Sequence, residues 1–95
     1  LSDRDALQTD GLLLVFDSDG VHGIWMRAMR FSLDLVWLDR DGRVTYVLER
    51  VPPCAVDPCS VFDGGGSASR YVLELSAGRS AAAHLKAGDR LLLSQ

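Results

Sequence analysis

Nowhere does the chain stay apolar for longer than a strand. Its longest such stretch, Leu12-Leu13-Leu14-Val15-Phe16, falls far short of the ~18 consecutive apolar residues that a membrane helix needs. Asp17-Ser18-Asp19-Gly20 closes it, and these side chains and the glycine favour a turn. The expectation is a buried strand, a turn, and no membrane span.

The same punctuation repeats downstream. Ile24, Met26 and Ala28 alternate with Trp25, Arg27 and Met29, and Leu33, Leu35 and Trp37 alternate with Asp34, Val36 and Leu38. A period of two is that of a strand. Asp39-Arg40-Asp41-Gly42 is a hairpin signal, because Asp and Gly tolerate the positive φ of such turns, and a strand over Arg43 to Glu49 follows. From Val51 to Ser69 the pattern is broken by Pro52, Pro53, Pro58 and Gly64-Gly65-Gly66, so this stretch reads as a long loop with the glycines as a flexible tip. Tyr71 to Leu75 resumes a strand. The Ala-rich segment Arg79 to Leu85 predicts a short helix capped by Ser76 or Gly78, and Arg90 to Ser94 a last strand.

Roughly five to seven short strands with one helix near the C-terminus argue for a mainly β fold, a small barrel-like or two-sheet antiparallel domain. A parallel α/β sheet would need helical crossovers between most strands, and only one candidate helix exists. Ninety-five residues with 47% hydrophobic and 24% charged residues make one globular domain. A chain this short buries only ~60–65% of its unfolded surface, so a staple or a partner contact matters to it. The net charge is -3 and the arginines are scattered among acids, which is not the basic stripe of a nucleic-acid binder.

Three constellations can carry chemistry. In His22-Gly23-Ile24-Trp25-Met26-Arg27, a strand puts His22, Ile24 and Met26 on one face and Gly23, Trp25 and Arg27 on the other. The functional reading is a pocket wall with Trp25 as a stacking plate and Arg27 as an anion contact; the bland one is a core Trp and Met beside a hydrogen-bonded edge His. Asp34, inside an apolar run, either faces solvent or is buried among strong hydrogen bonds, and if buried it is placed to orient His22 or receive Arg27. Cys54 and Cys59, separated by four residues in a proline-rich loop, read first as a disulfide.

Zinc would need two more ligands and lacks the usual CxxC spacing. The second alternative is a thiol-dependent enzyme or redox protein using Cys54 or Cys59, the enzyme with a Cys nucleophile paired with His22. The chain has no GxSxG, P-loop, GxGxxG or HExxH motif, so the reading leans away from an enzyme and calls for neither metal nor cofactor.

Taken in order, Gly11 to Phe16, His22 to Arg27, Leu33 to Asp39, Pro52-Pro53-Cys54 with Asp57-Pro58-Cys59, Tyr71 to Leu75 and Leu85 to Asp89 resemble the domain of unknown function family 192. The resemblance covers nearly the whole chain. It implies a compact β-barrel-like domain of bacteria and archaea, sometimes exported behind a signal peptide, with no established activity. His22, Trp25, Met26, Arg27, Asp34, Cys54 and Cys59 would be its signature positions. The chain departs at Met29, where the family commonly has a small polar residue, and the family's opening strand is absent before Leu1. A missing opening strand would leave an edge able to pair with another chain or a second copy. Leu1 opens the chain without an initiator Met or a signal-peptide pattern, which suggests a processed or trimmed N-terminal piece and leaves the compartment unknown: the cytoplasm, or outside the cell if an absent segment was a signal peptide. Two readings lead: a small binding or accessory module with a site between the His22–Arg27 strand, Asp34 and the Cys54–Cys59 loop, or a structural or protein-interaction domain.

Overall fold

The computed structural model describes residues 11–92. In chain order it holds β1 (Leu12–Gly20), β2 (Ile24–Trp25), β3 (Leu33–Leu38), β4 (Val44–Val51), β5 (Val61–Phe62), a 3-10 turn at Gly64–Gly66, β6 (Ser69–Ser76) and α1 (Arg79–Ala82). The strands form two antiparallel sheets: one of four strands in the order β1-β6-β3-β4, and a ribbon of β2 with β5. The fold is mainly β and of the two-sheet kind. No barrel closes, because β1 and β4 stand at opposite ends of the four-stranded order among the described residues.

β3 is the centre of the molecule, and every residue from Leu33 to Leu38 is buried. Its period of two is real, but both faces are covered. Leu33, Leu35 and Trp37 pack with Ile24, Met26, Val51 and Val72 on the ribbon side, where Leu14, Phe16 and Phe62 complete the cluster. Val36 and Leu38 pack on the opposite side with Val44, Tyr71, Leu73, Leu75, Leu85 and Leu91. Full burial of a large apolar side chain is worth ~1.5–3 kcal/mol over leaving it exposed, so the doubly covered β3 concentrates the stabilisation of a small domain.

The Asp39–Gly42 hairpin forms as its sequence predicts. Asp39 Oδ1 accepts from the Asp41 and Arg43 amides at 2.9 and 3.0 Å, and Gly42 takes a φ of 82°. The glycine run behaves differently from the expected flexible tip. Gly64 is buried with a φ of 69°, and a Cβ there would lie 2.6 Å from the Trp37 ring. Only glycine lets this backbone lie flat against the indole.

Other expectations are corrected in length or position. β1 runs on through Asp17–Gly20, with a register shift against β6 between Val15 and Gly20 rather than a turn after Phe16. The alternation over Ile24–Met29 yields a strand only at Ile24–Trp25, because the Met29 amide donates to the Met26 carbonyl (3.2 Å) and Ala28 takes a φ of 65°, turning the chain. The long loop contains β5. The helix stops at Ala82, with Gly78 as its N-cap, and the segment expected to end as a strand contributes one bridge, Arg43 to Arg90. Leu93 and Ser94 lie outside the described residues.

Candidate functional site

Asp34 lies on the α1 side of β3 and is fully buried. One carboxylate oxygen accepts the Arg50 amide at 2.9 Å; the other accepts the Gly78 amide at 3.1 Å, the Ser80 amide at 2.8 Å and the Ser80 hydroxyl at 2.7 Å. Burial pushes this carboxyl's pKa up. The Arg50 amide, the Ser80 hydroxyl and amide and the Gly78 amide outweigh that and hold it below the ordinary carboxylate value. Opposite Asp34, β4 carries an irregularity between Leu35↔Leu48 and Leu33↔Val51, and Arg50 there has a φ of 54°. The acid therefore clasps the β4 bulge to the start of α1. It reaches neither His22 nor Arg27, which corrects the expectation that a buried Asp34 would orient one or receive the other: β3's alternation sends it to the wrong side of the sheet.

The ribbon side is arranged differently. The β2 alternation points Ile24 inward and Trp25 outward, and after β2 Met26 is buried while Arg27 is exposed. Cys54 is drawn alongside by its amide, which donates to the Met26 carbonyl at 3.2 Å, and by a parallel bridge to Arg27. A Cys54–Cys59 disulfide with a Cα–Cα distance of 5.8 Å closes the loop. Both sulfurs are tied in this bridge.

From that loop Asp57 reaches Arg27, with a carboxylate oxygen 3.2 Å from the guanidinium and more than half of each side chain exposed (57% and 56%). The Arg27 guanidinium carbon sits 5.7 Å from the Trp25 ring centroid, within cation–π range. Trp25, Arg27, Ala28, Met29, Cys54 and Ala55 line an open groove of about 440 Å³. The positive φ of Ala28 lies in its wall, a conformation that costs a non-glycine residue ~1–2 kcal/mol.

Of the residues singled out from sequence, Trp25, Arg27 and Cys54 meet in this groove, and Cys59 holds the loop beside it. Met26 is core. His22 is turned away: its ring stacks on Phe16 at 3.8 Å, its Nε2 lies 2.8 Å from the Ser18 carbonyl oxygen, and its own carbonyl accepts from Trp37 Nε1 at 3.0 Å. Sequence reasoning did not single out Ala28, Ala55 or Asp57. Asp57 had a signal, as the one acid between two cysteines separated by four residues; the Ala28 turn had none, since no glycine or proline marks it. Glu74, a second buried acid, pairs in register with Leu35 and so lies on the ribbon side of the sheet. Among the described residues, no group of three or more His, Cys, Asp or Glu side chains is placed to hold a metal ion.

Fold and groove define a small two-sheet β domain that presents an indole from β2 beside an ion pair between Arg27 and Asp57 of a disulfide-closed loop. The chain belongs to the DUF192 family, described as Uncharacterized ACR, COG1430, whose family model matches residues 1–93. Two solved structures are similar to it. One, from Sinorhizobium meliloti 1021 and described as a "putative transcription regulator", is 28% identical with a TM-score of 0.76. The other, a protein of unknown function from Novosphingobium aromaticivorans DSM 12444, is 24% identical with a TM-score of 0.73 and shares the fold. Each alignment takes in 84% of this chain, which spans only 59% and 54% of those two chains. No curated protein matches the chain.

Proposed function

We propose that this domain is a small binding module whose recognition site is the groove between β2 and the Cys54–Cys59 loop. The observation that carries the reading is the contrast between the two tryptophans: Trp37 is fully buried and hydrogen-bonded, whereas Trp25 keeps 50% of its surface exposed beside an arginine. Trp and Arg are the side chains most often responsible for binding energy at recognition surfaces, and an indole left half in water gains on being covered. The site is narrower than the sequence suggests, since Asp34, His22 and Met26 serve the fold. Backbone bonds and the disulfide set the walls before any ligand arrives, which lowers the ordering cost of binding.

The test is a fragment screen on ¹⁵N-labelled protein. Ligands should shift the amides of Trp25, Arg27, Ala28, Cys54 and Ala55, and Trp25→Ala should abolish the response while leaving the rest of the spectrum in place. Shifts confined to the separate cleft at Phe31, Ser32, Ser76 and Ala77 would sink the reading.

A second reading, a protein-interaction domain, draws on Val61, which pairs with Trp25 across the ribbon and is 63% exposed. Sedimentation equilibrium separates self-association from small-ligand binding. Nucleic acid is not part of either reading: the chain is acidic, and Arg70 and Arg40 both lean on Asp19.

A further inference from the structure

We propose that the groove takes a neutral saccharide, with one sugar ring stacked on Trp25 and its hydroxyls shared between Arg27 and Asp57; this rests on the groove being the binding site. The argument runs through charge. A lone exposed arginine beside a tryptophan would select an anion, but the Arg27 guanidinium already faces the Asp57 carboxylate at 3.2 Å. An anionic ligand would meet Asp57, and a cationic one would meet Arg27. A purely apolar segment would have to strip water from both members of the pair without replacing it. A vicinal diol is the group that uses both charges at once, because each hydroxyl donates to the carboxylate and accepts from the guanidinium.

The remaining features fit the same ligand. Pyranose rings carry a face of C–H groups that packs on an aromatic plane, and Trp25 is presented from a two-residue strand with half its surface free. The groove is open rather than enclosed, as suits one stretch of a chain whose other units remain in water, and its volume of about 440 Å³ falls within the ~300–1,000 Å³ of small-molecule sites. Trp25 and Arg27 come from β2 and the residues just after it, Asp57 comes from the Cys loop, and the Cys54 amide bond to Met26 and the disulfide hold the two segments together. Binding a sugar then requires no rearrangement, only that Arg27 and Asp57 exchange water for hydroxyls.

The experiment is a titration of the whole chain, followed by tryptophan emission and by ¹⁵N amide shifts, against three sets of probes. These are neutral oligosaccharides (α- and β-glucans, mannan, galactan and chitin fragments), uronic-acid oligomers, and short apolar peptides. At least one neutral oligosaccharide should perturb Trp25, Arg27, Ala55 and Asp57 and bind more tightly than its uronic-acid counterpart. Trp25→Ala, Arg27→Met and Asp57→Ala, all at exposed positions, should each weaken it by roughly tenfold or more, the scale of one charge-assisted contact. Binding of the same sugar that is unchanged by Asp57→Ala would overturn the assignment. So would tighter binding of the acidic oligomers or the peptides at the same amides, although the groove would stand as a site. Silence of these amides toward all three sets would remove both the saccharide and the groove reading.

Discussion

Asp34 and the Arg27–Asp57 pair, on opposite sides of the four-stranded sheet, meet their polar needs in opposite ways. On the α1 side, Asp34 is sealed from water and every donor it needs comes from the chain's own backbone and from Ser80. On the ribbon side, Arg27 and Asp57 hold one another at the surface with more than half their area in solvent, and Trp25 stands beside them half covered. A carboxylate can thus serve two ends. Where its lone pairs are filled and no solvent reaches it, it fixes a fold; where the partner is exposed and exchangeable, it is free to recognise. The sharpest way to test that division is to perturb each side and ask which property changes.

The largest effect belongs to Asp34. Asp34→Ala leaves three amides and a hydroxyl without their acceptor in a buried site, and is expected to cost about 3–5 kcal/mol in a denaturant titration, a large share of the ~5–15 kcal/mol of a typical domain. A cost under ~1 kcal/mol would dissolve the comparison. The acid limb of stability follows the same group. Its pKa is lower folded than unfolded, so its contribution is fully present above pH ~4 and drains away as pH falls through the folded value. Asp34→Asn should flatten that limb, measured as midpoint against pH from 2 to 6.

Gly64→Ala comes next. The new methyl would meet the Trp37 ring at 2.6–2.8 Å with φ at 69°, and strain plus overpacking should cost about 2–4 kcal/mol by thermal or chemical melting. Reducing the Cys54–Cys59 bridge should cost less. The cysteines are only five positions apart in sequence, and closing so short a loop is worth about 2 kcal/mol at most. Amide exchange should rise over residues 54–60 and stay unchanged in β3 and β6; loss of the whole fold on reduction would place the ribbon among the fold's essentials. Smallest is Trp25→Ala, expected to move stability by no more than about 1 kcal/mol while removing ligand-induced shifts in the groove. A loss several times larger would mean that Trp25 is a core residue after all.

The sheet could be read from the chain because its strands are long enough to show a period, as in Leu33–Leu38, and because the Asp39–Gly42 turn has dedicated chemistry. The ribbon was half hidden for a physical reason. β5 is two residues long, too short for alternation to register, and β2 was legible but read on to Met29, because the turn after Met26 uses an alanine where glycine would have signalled it. Asp34 was legible as an anomaly but not as a clasp, since its partners at Gly78 and Ser80 lie 44 and 46 residues away. Trp25 and Arg27 on one face followed from strand geometry alone; Asp57 joined them only through the fold of the Cys loop.

The strand order holds a further consequence, for the moment of synthesis. β6 is the last of the described strands in chain order, yet it sits inside the sheet, between β1 and β3. While a ribosome is still translating residues 69–76, β1 lacks its partner among the described strands and β3 has only β4, so two hydrogen-bonding edges wait open and Val72 is missing from the cluster around Leu33, Leu35 and Trp37. The growing chain therefore exposes its strand edges until residues 69–76 emerge, and how long they stay exposed depends on how fast that one strand arrives.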